Sequence, residues 1–175
     1  MATVLTIGHS TRTLEELVAA LQAHGVRTLV DIRAFPMSRR LPHFNHENLE
    51  RELPAAGLCY VWEKELGGRR RKLRDDSPNT GLRVPAFRNY ADYMLTAEFR
   101  AAIQWVLALA EEAPTAIMCA EKLYFRCHRM LVSDWLMAHG HTVLHILDAA
   151  GPVKSHKMTA EAQLRDGALV YAGLF

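Results

Sequence analysis

Residues 115–129, TAIMCAEKLYFRCHR, run from an apolar stretch at 115–118 through Cys119, Ala120 and Glu121 into a helical pattern that opens with Cys127, His128 and Arg129. The stretch reads as a strand, a loop and a helix start. Two thiols, a carboxylate, an imidazole and guanidiniums gather at the junction. In an open α/β sheet, ligands sit outside the carboxyl ends of the strands, where helix N-termini also offer free N–H groups to anions. Fold class and the place to look for chemistry are therefore read from the same residues.

The alternation continues outward in both directions. Apolar runs at 3–7, 28–32, 58–62 and 142–147 predict further strands. Between the first two, TLEE at 13–16 is a capping box leading into LVAALQAHG, with Leu14, Leu17, Val18 and Leu21 at helical spacing and Gly25 just beyond. Helical patterns recur near 47–53, 87–95, 98–110 and 127–139. Residues 63–84 hold two glycines, a basic cluster and DDSPNTG, and read as a long functional or mobile loop. The extension at 149–175 is weakly patterned, with a short helix expected at 159–165 and a last strand at 168–171. Strands alternating with helices predict a three-layer α/β sandwich with a mainly parallel sheet and Rossmann-like topology.

The chain has 175 residues, half of them hydrophobic, which suits one domain over 1–175. No basic region precedes an apolar core at the start, and no apolar segment approaches the roughly 18 to 20 residues of a membrane span, so a soluble cytoplasmic protein without membrane contact is expected. Three cysteines are too few for a disulfide framework and fit reduced thiols. A formal charge of +2 leaves any basic interaction local. The run RRRKLR between Arg69 and Arg74 is the strongest basic cluster, a route to nucleic acid, though Asp75 and Asp76 soften its field.

Polar residues fall at one rim of the predicted sheet: His9 and Ser10 after the first strand, Asp31 and Arg33 at the second, Glu63 after the third, Cys119 and Glu121 at the fourth, Asp148 after the fifth. Acid, base and cation at several strand ends is the layout of an active-site crevice. The motifs TIGHSTRTLEELVAALQAHGVRTLVDIRAFPMSRR, YVWEKELGG, FRNYADYMLTAEF, CAEKLYFRCHR and HTVLHI together resemble a bacterial family catalogued as domain of unknown function 488. The resemblance implies an α/β fold and a set of motif positions: Gly8, His9, Ser10, Asp31, Arg33, Pro36, Ser38, Gly67, Gly68, Cys119, Glu121, Cys127, His128, Arg129 and His145. It implies no activity.

From the groups themselves, Glu121 is expected as an acid–base or nucleophilic residue, helped by Asp31 and His9, in glycosidic or phosphoester cleavage of a small phosphorylated or nucleotide-like substrate. Arg33 and Arg129 would clamp the anion, with Ser10, Ser38, Gly67, Gly68, Cys127, His128 and His145 also near substrate. One alternative is a non-catalytic nucleic-acid-binding or nucleotide-sensing module. Another is rhodanese-like thiol chemistry at Cys119 or Cys127. Against a phosphatase-type loop, six residues separate Cys119 from Arg126, the loop lacks glycine, and Glu121 would repel an oxyanion. No cofactor is expected. Zinc is a weaker alternative, since the ligand types are present but CxxC and HxxxH spacings are not.

Overall fold

The computed structural model describes residues 1–173. Strands Thr3–Gly8 (β1), Thr28–Asp31 (β2), Cys59–Trp62 (β3), Thr115–Cys119 (β4) and Thr142–His145 (β5) are mutually parallel and ordered β3-β2-β4-β1-β5. A two-residue strand, Lys154–Ser155 (β6), adds antiparallel to β5. Helices Leu14–Ala23 (α1), His46–Ala55 (α2), Pro85–Tyr93 (α3), Ala97–Glu112 (α4) and Arg129–Ala138 (α5) complete the main elements.

Both faces of the sheet are covered, which is why the strands read as continuous apolar runs. Leu5, Leu29, Ala116 and Met118 pack with Leu17 and Leu21 of α1 and Leu49 and Leu53 of α2. Their strand neighbours Val4, Val30 and Ile117 point the other way, onto Tyr90 of α3, Phe99 and Ile103 of α4 and Leu131 of α5. The result is the three-layer α/β sandwich that the alternation predicts. Thr13 caps α1 through the expected reciprocal pair, its hydroxyl accepting from Glu16 N–H and its own N–H donating to the Glu16 carboxylate.

Two local expectations are corrected. The helix expected at 159–165 is a strand, Ala162–Arg165 (β7), paired antiparallel with Ala168–Tyr171 (β8). Asp166 and Gly167 join them with φ of 51° and 80°, the left-handed pair that a two-residue hairpin turn requires. The helix expected from Cys127 begins at Arg129, preceded by a single 3-10 turn at Tyr124–Arg126. The long loop at 63–84 holds one 3-10 turn, Lys64–Leu66, and no other helix or strand. Asn79, fully buried, anchors its far end by donating to Asp92 (2.7 Å) and accepting from Tyr171 N–H (2.8 Å).

One close approach positions the functional rim. Beyond β1 and β4, His9 N–H donates to Cys119 C=O and Ser10 N–H to Ala120 C=O, both at 2.9 Å. The chain leaving β4 then crosses the end of β1, where a Cβ on Gly8 would overlap the Glu121 carbonyl. Only glycine permits this pass. Gly8→Ala is expected to destabilise the fold by about 3 kcal/mol, read as a lower urea midpoint, because backbone rather than a pliable side chain must yield.

Candidate functional site

The carboxyl rim of the sheet carries a pair of thiols. Cys119, the last residue of β4, is buried, and its Sγ lies 2.9 Å from Cys127 Sγ. The 3-10 turn at Tyr124–Arg126 folds the chain back to make this contact, and Arg129 N–H at the start of α5 donates to Cys127 Sγ (3.3 Å). The two thiols are electrostatically unequal. Burial pushes Cys119 well above the ordinary thiol range. Cys127 is pulled well below it, first by the hydrogen bond from Cys119 and then, against burial, by His128 and Arg129.

Both sulfurs line a cleft of about 290 Å³, walled by Phe35, Phe87, Gly68, Arg69, Glu121 and His128. Phe87, inside the helical pattern at 87–95, forms part of this wall. Gly68 lets the long loop lie directly on the His128 ring, which a Cβ there would strike, and His128 Nε2–H donates to Ile32 C=O (2.9 Å). Gly67 passes equally close to the backbone of Ala34. The Glu121 carboxylate is exposed and makes no hydrogen bond or ion pair among the described residues. Its backbone carbonyl instead accepts from Arg129 Nη2 (2.8 Å) and faces Cys119 Sγ (3.5 Å). Arg129 also holds the Lys122 carbonyl (3.0 Å), so this turn presents carbonyls inward and is no ring of anion-cradling N–H groups.

The expected anion clamp is occupied by the protein itself. Arg33 forks onto Asp31 through Nε and Nη2 (2.8 and 2.6 Å) and donates to Phe44 C=O (2.7 Å) and His9 Nε2 (3.2 Å). Tyr60 hydroxyl donates to the same Asp31 carboxylate (2.6 Å). His9 Nδ1–H donates to Ser10 C=O (2.8 Å), so both ring nitrogens are engaged, and burial first, then Arg33, pulls its pKa down to about 4. Asp31 is completely buried and committed to Arg33 and Tyr60. Ser10 adopts a left-handed φ of 52° at the end of β1. Ser38 lies apart from the cleft lining, its hydroxyl accepting from Arg40 and Leu41 N–H (3.2 Å each) within its own loop. His145 is buried behind the rim, bonded to Thr6 and His156.

Of the basic run, Lys72 pairs with Asp75 and Arg74 with Asp76, while Arg70 donates to the Gly67 and Lys64 carbonyls and lies on the Tyr93 ring (3.7 Å). Arg69 rests over Phe35 at the cleft wall, 5.3 Å from the ring centroid. Among the described residues no three His, Cys, Asp or Glu side chains converge as a metal site, and no helix is long and apolar enough to cross a membrane. Sequence reasoning passed over Thr6, Tyr60, Asp134, His156 and Tyr171. One signal was present: Asp134 interrupts the apolar run MLVSDWLM on the buried side of α5.

Asp31→Asn leaves the Arg33 charge buried without its carboxylate and is expected to cost about 3 to 5 kcal/mol in chemical denaturation. Acid should also weaken the fold through the buried histidines. His9 (about 4) and His145 (about 3) are harder to protonate folded than unfolded, where the ordinary value is 6.5. Their contribution is complete above pH 6.5 and is lost as pH falls through about 4 and about 3, a decline to be followed as Tm against pH.

No curated protein and no solved structure matches the chain. The family model described as domain of unknown function DUF488 matches residues 13–136. That span holds β2, β3, β4, both cysteines of the pair and the start of α5, so the chain belongs to the DUF488 family.

Proposed function

We propose that this protein is a dithiol enzyme that exchanges thiols with small disulfides in the cleft, with Cys127 as nucleophile and Cys119 as resolving thiol. The observation that carries the reading is the 2.9 Å contact between one buried sulfur and one at the start of a helix, both lining the cleft. The protonated, buried Cys119 hydrogen-bonds to Cys127 and keeps it as thiolate near neutral pH. The thiolate attacks one sulfur of a substrate disulfide and expels the other half as a thiolate. Cys119 then gives up its proton to a departing thiolate and attacks Cys127 Sγ, releasing the second half. Two substrate thiols and one Cys119–Cys127 disulfide result, and an external thiol reductant returns the pair to its resting form. A stabilised Cys127 thiolate favours the reduced protein, which makes the disulfide form a strong oxidant. Phe35 and Phe87 supply apolar walls, and Arg69 and Glu121 offer a cation and an anion to the substrate's charged ends.

A second reading rests on Glu121, a residue of the same cleft lining whose carboxylate has no partner among the described residues, with Arg69 also in the lining to meet a phosphate. There Glu121 acts as the acid or base in cleavage of a phosphorylated or nucleotide-like substrate.

In a Cys59→Ser background, which removes the exposed third thiol, treatment with excess glutathione disulfide is expected to release two glutathione thiols per chain and to remove two hydrogens from the protein mass. Cys127→Ser abolishes the reaction, Cys119→Ser accumulates the glutathione adduct on Cys127, and Glu121→Gln retains both steps. Alkylation of Cys127 stays fast down to about pH 6. An unreactive wild type, or a Cys127→Ser variant that reacts equally, sinks the thiol reading. Turnover of a phosphate ester that survives Cys127→Ser and disappears in Glu121→Gln establishes the second.

A further inference from the structure

Arg129 is almost completely buried, at 1% exposure, and no carboxylate lies within ion-pairing distance of it among the described residues. Burying a guanidinium without a counter-anion is costly, so its charge must be answered through its hydrogen bonds. Nη2 holds the Glu121 and Lys122 carbonyls, Nη1 donates to Thr6 Oγ1 (3.1 Å), and Nε has no partner among the described residues. Past Thr6 a chain of buried groups continues. Thr6 Oγ1 lies 2.5 Å from His145 Nδ1, His145 Nε2 is 2.8 Å from His156 Nδ1, and His156 Nε2 is 2.7 Å from Asp134 Oδ1.

Taking each imidazole with a single proton, the carboxylate, which can only accept, sets the direction of every bond in this chain. At the other end Thr6 oxygen accepts from Arg129, which can only donate, and keeps its own proton for His145 Nδ1. His145 then carries its proton on Nε2 and donates to His156 Nδ1, and His156 donates from Nε2 to the carboxylate. Asp134 also accepts from Thr159 N–H (3.0 Å), Thr159 hydroxyl (2.6 Å) and Tyr171 hydroxyl (2.9 Å). Tyr124 stacks flat on His145, centroids 3.8 Å apart at 4°, and closes its face. His145 is neutral in this scheme, in keeping with the burial that pulls it down to about 3, assisted by Arg129 and Lys154.

We infer that Asp134, His156, His145 and Thr6 form a one-way hydrogen-bond relay that holds the Arg129 guanidinium against the thiol pair, as positioning residues for the Cys127 thiolate. The inference rests on the thiol reading above. Arg129 meets the pair in two ways, through its backbone N–H to Cys127 Sγ and through the grip of its guanidinium on the Glu121 carbonyl that faces Cys119 Sγ. The other titratable groups around Cys127 are Cys119 from β4, the adjacent His128, and Tyr90 of α3, whose ring lies 5.1 Å from that of His128. None of these belongs to the relay, which reaches Cys127 through Arg129 and, by way of Tyr124 stacked on His145, through the carbonyl that accepts from Cys127 N–H (3.3 Å).

The test is the pH dependence of Cys127 alkylation by iodoacetamide, read peptide by peptide so that exposed Cys59 does not interfere. Thr6→Val keeps the shape of the side chain and cuts the relay at one atom, while Asp134→Asn reverses its far end. Both are expected to raise the midpoint by about one pH unit, a roughly tenfold slower reaction on the acid side, and Thr6→Ser restores the wild-type profile. Nitrogen shifts are expected to find both histidines protonated on Nε2 in wild type and on Nδ1 in Asp134→Asn. Should Asp134→Asn fail to fold, Thr6→Val and its serine rescue decide alone. A depressed wild-type midpoint that the folded variants leave unmoved overturns the relay and spares the thiol reading. An ordinary wild-type midpoint sinks that reading and this role with it.

Discussion

The burial of Arg129 is the constraint around which the rim is built. A guanidinium with almost no solvent contact must place its donors, and here they reach two separate parts of the chain: β1 through Thr6 and the turn after β4 through two carbonyls. The glycine at the end of β1 belongs to the same arrangement, because the carbonyl that Arg129 holds is the one passing over Gly8. Removing the charge would free the turn, and adding a Cβ at Gly8 would push it away.

A second buried arginine does different work. Arg33 is answered directly by Asp31 in a two-pronged pair, with Tyr60 on the same carboxylate and His9 accepting from the remaining edge. Such a closed cluster consumes its own donors and acceptors, and it ties β2 to β3 and to the segment after β1. Arg129, by contrast, has no carboxylate within ion-pairing distance among the described residues, and its charge helps to lower the Cys127 thiol. The rim therefore divides into a self-satisfied half that holds the framework and a half whose charge acts on the paired sulfurs.

Much of the fold is legible in the sequence because parallel strands buried on both faces leave unbroken apolar runs, and each of the five appears as such. The β7–β8 hairpin was missed for a reason that is also local. The strand at ALVY is legible, but AQLR falls inside the short helix expected at 159–165, although the Asp166–Gly167 pair between them is a strong hairpin signal. The rim is less readable. Strand-end logic brings Cys119, Glu121, Asp31 and His9 to one edge, yet says nothing of which atoms meet. That Cys127 returns to Cys119 depends on one 3-10 turn, and that Glu121 contributes its carbonyl depends on a backbone direction. Asp134 and His156 lie 22 residues apart, and no periodicity connects a helix interior to a residue just past a two-residue strand.

The anchoring of Asn79 has a consequence for the long loop that crosses the cleft. At one end Gly67 and Gly68 lie against Ala34 and His128, and at the other Asn79 is locked between Asp92 and Tyr171. Between these two fixed points residues 71–76 are exposed throughout. A segment held so firmly at its ends can change in length or sequence in the middle without disturbing either anchor, since doubling a loop costs only about 0.6 kcal/mol in closure entropy. The arc from Arg71 to Asp76 is thus the place where the chain can accept an inserted peptide, or diverge freely among its relatives, while the cleft keeps its walls.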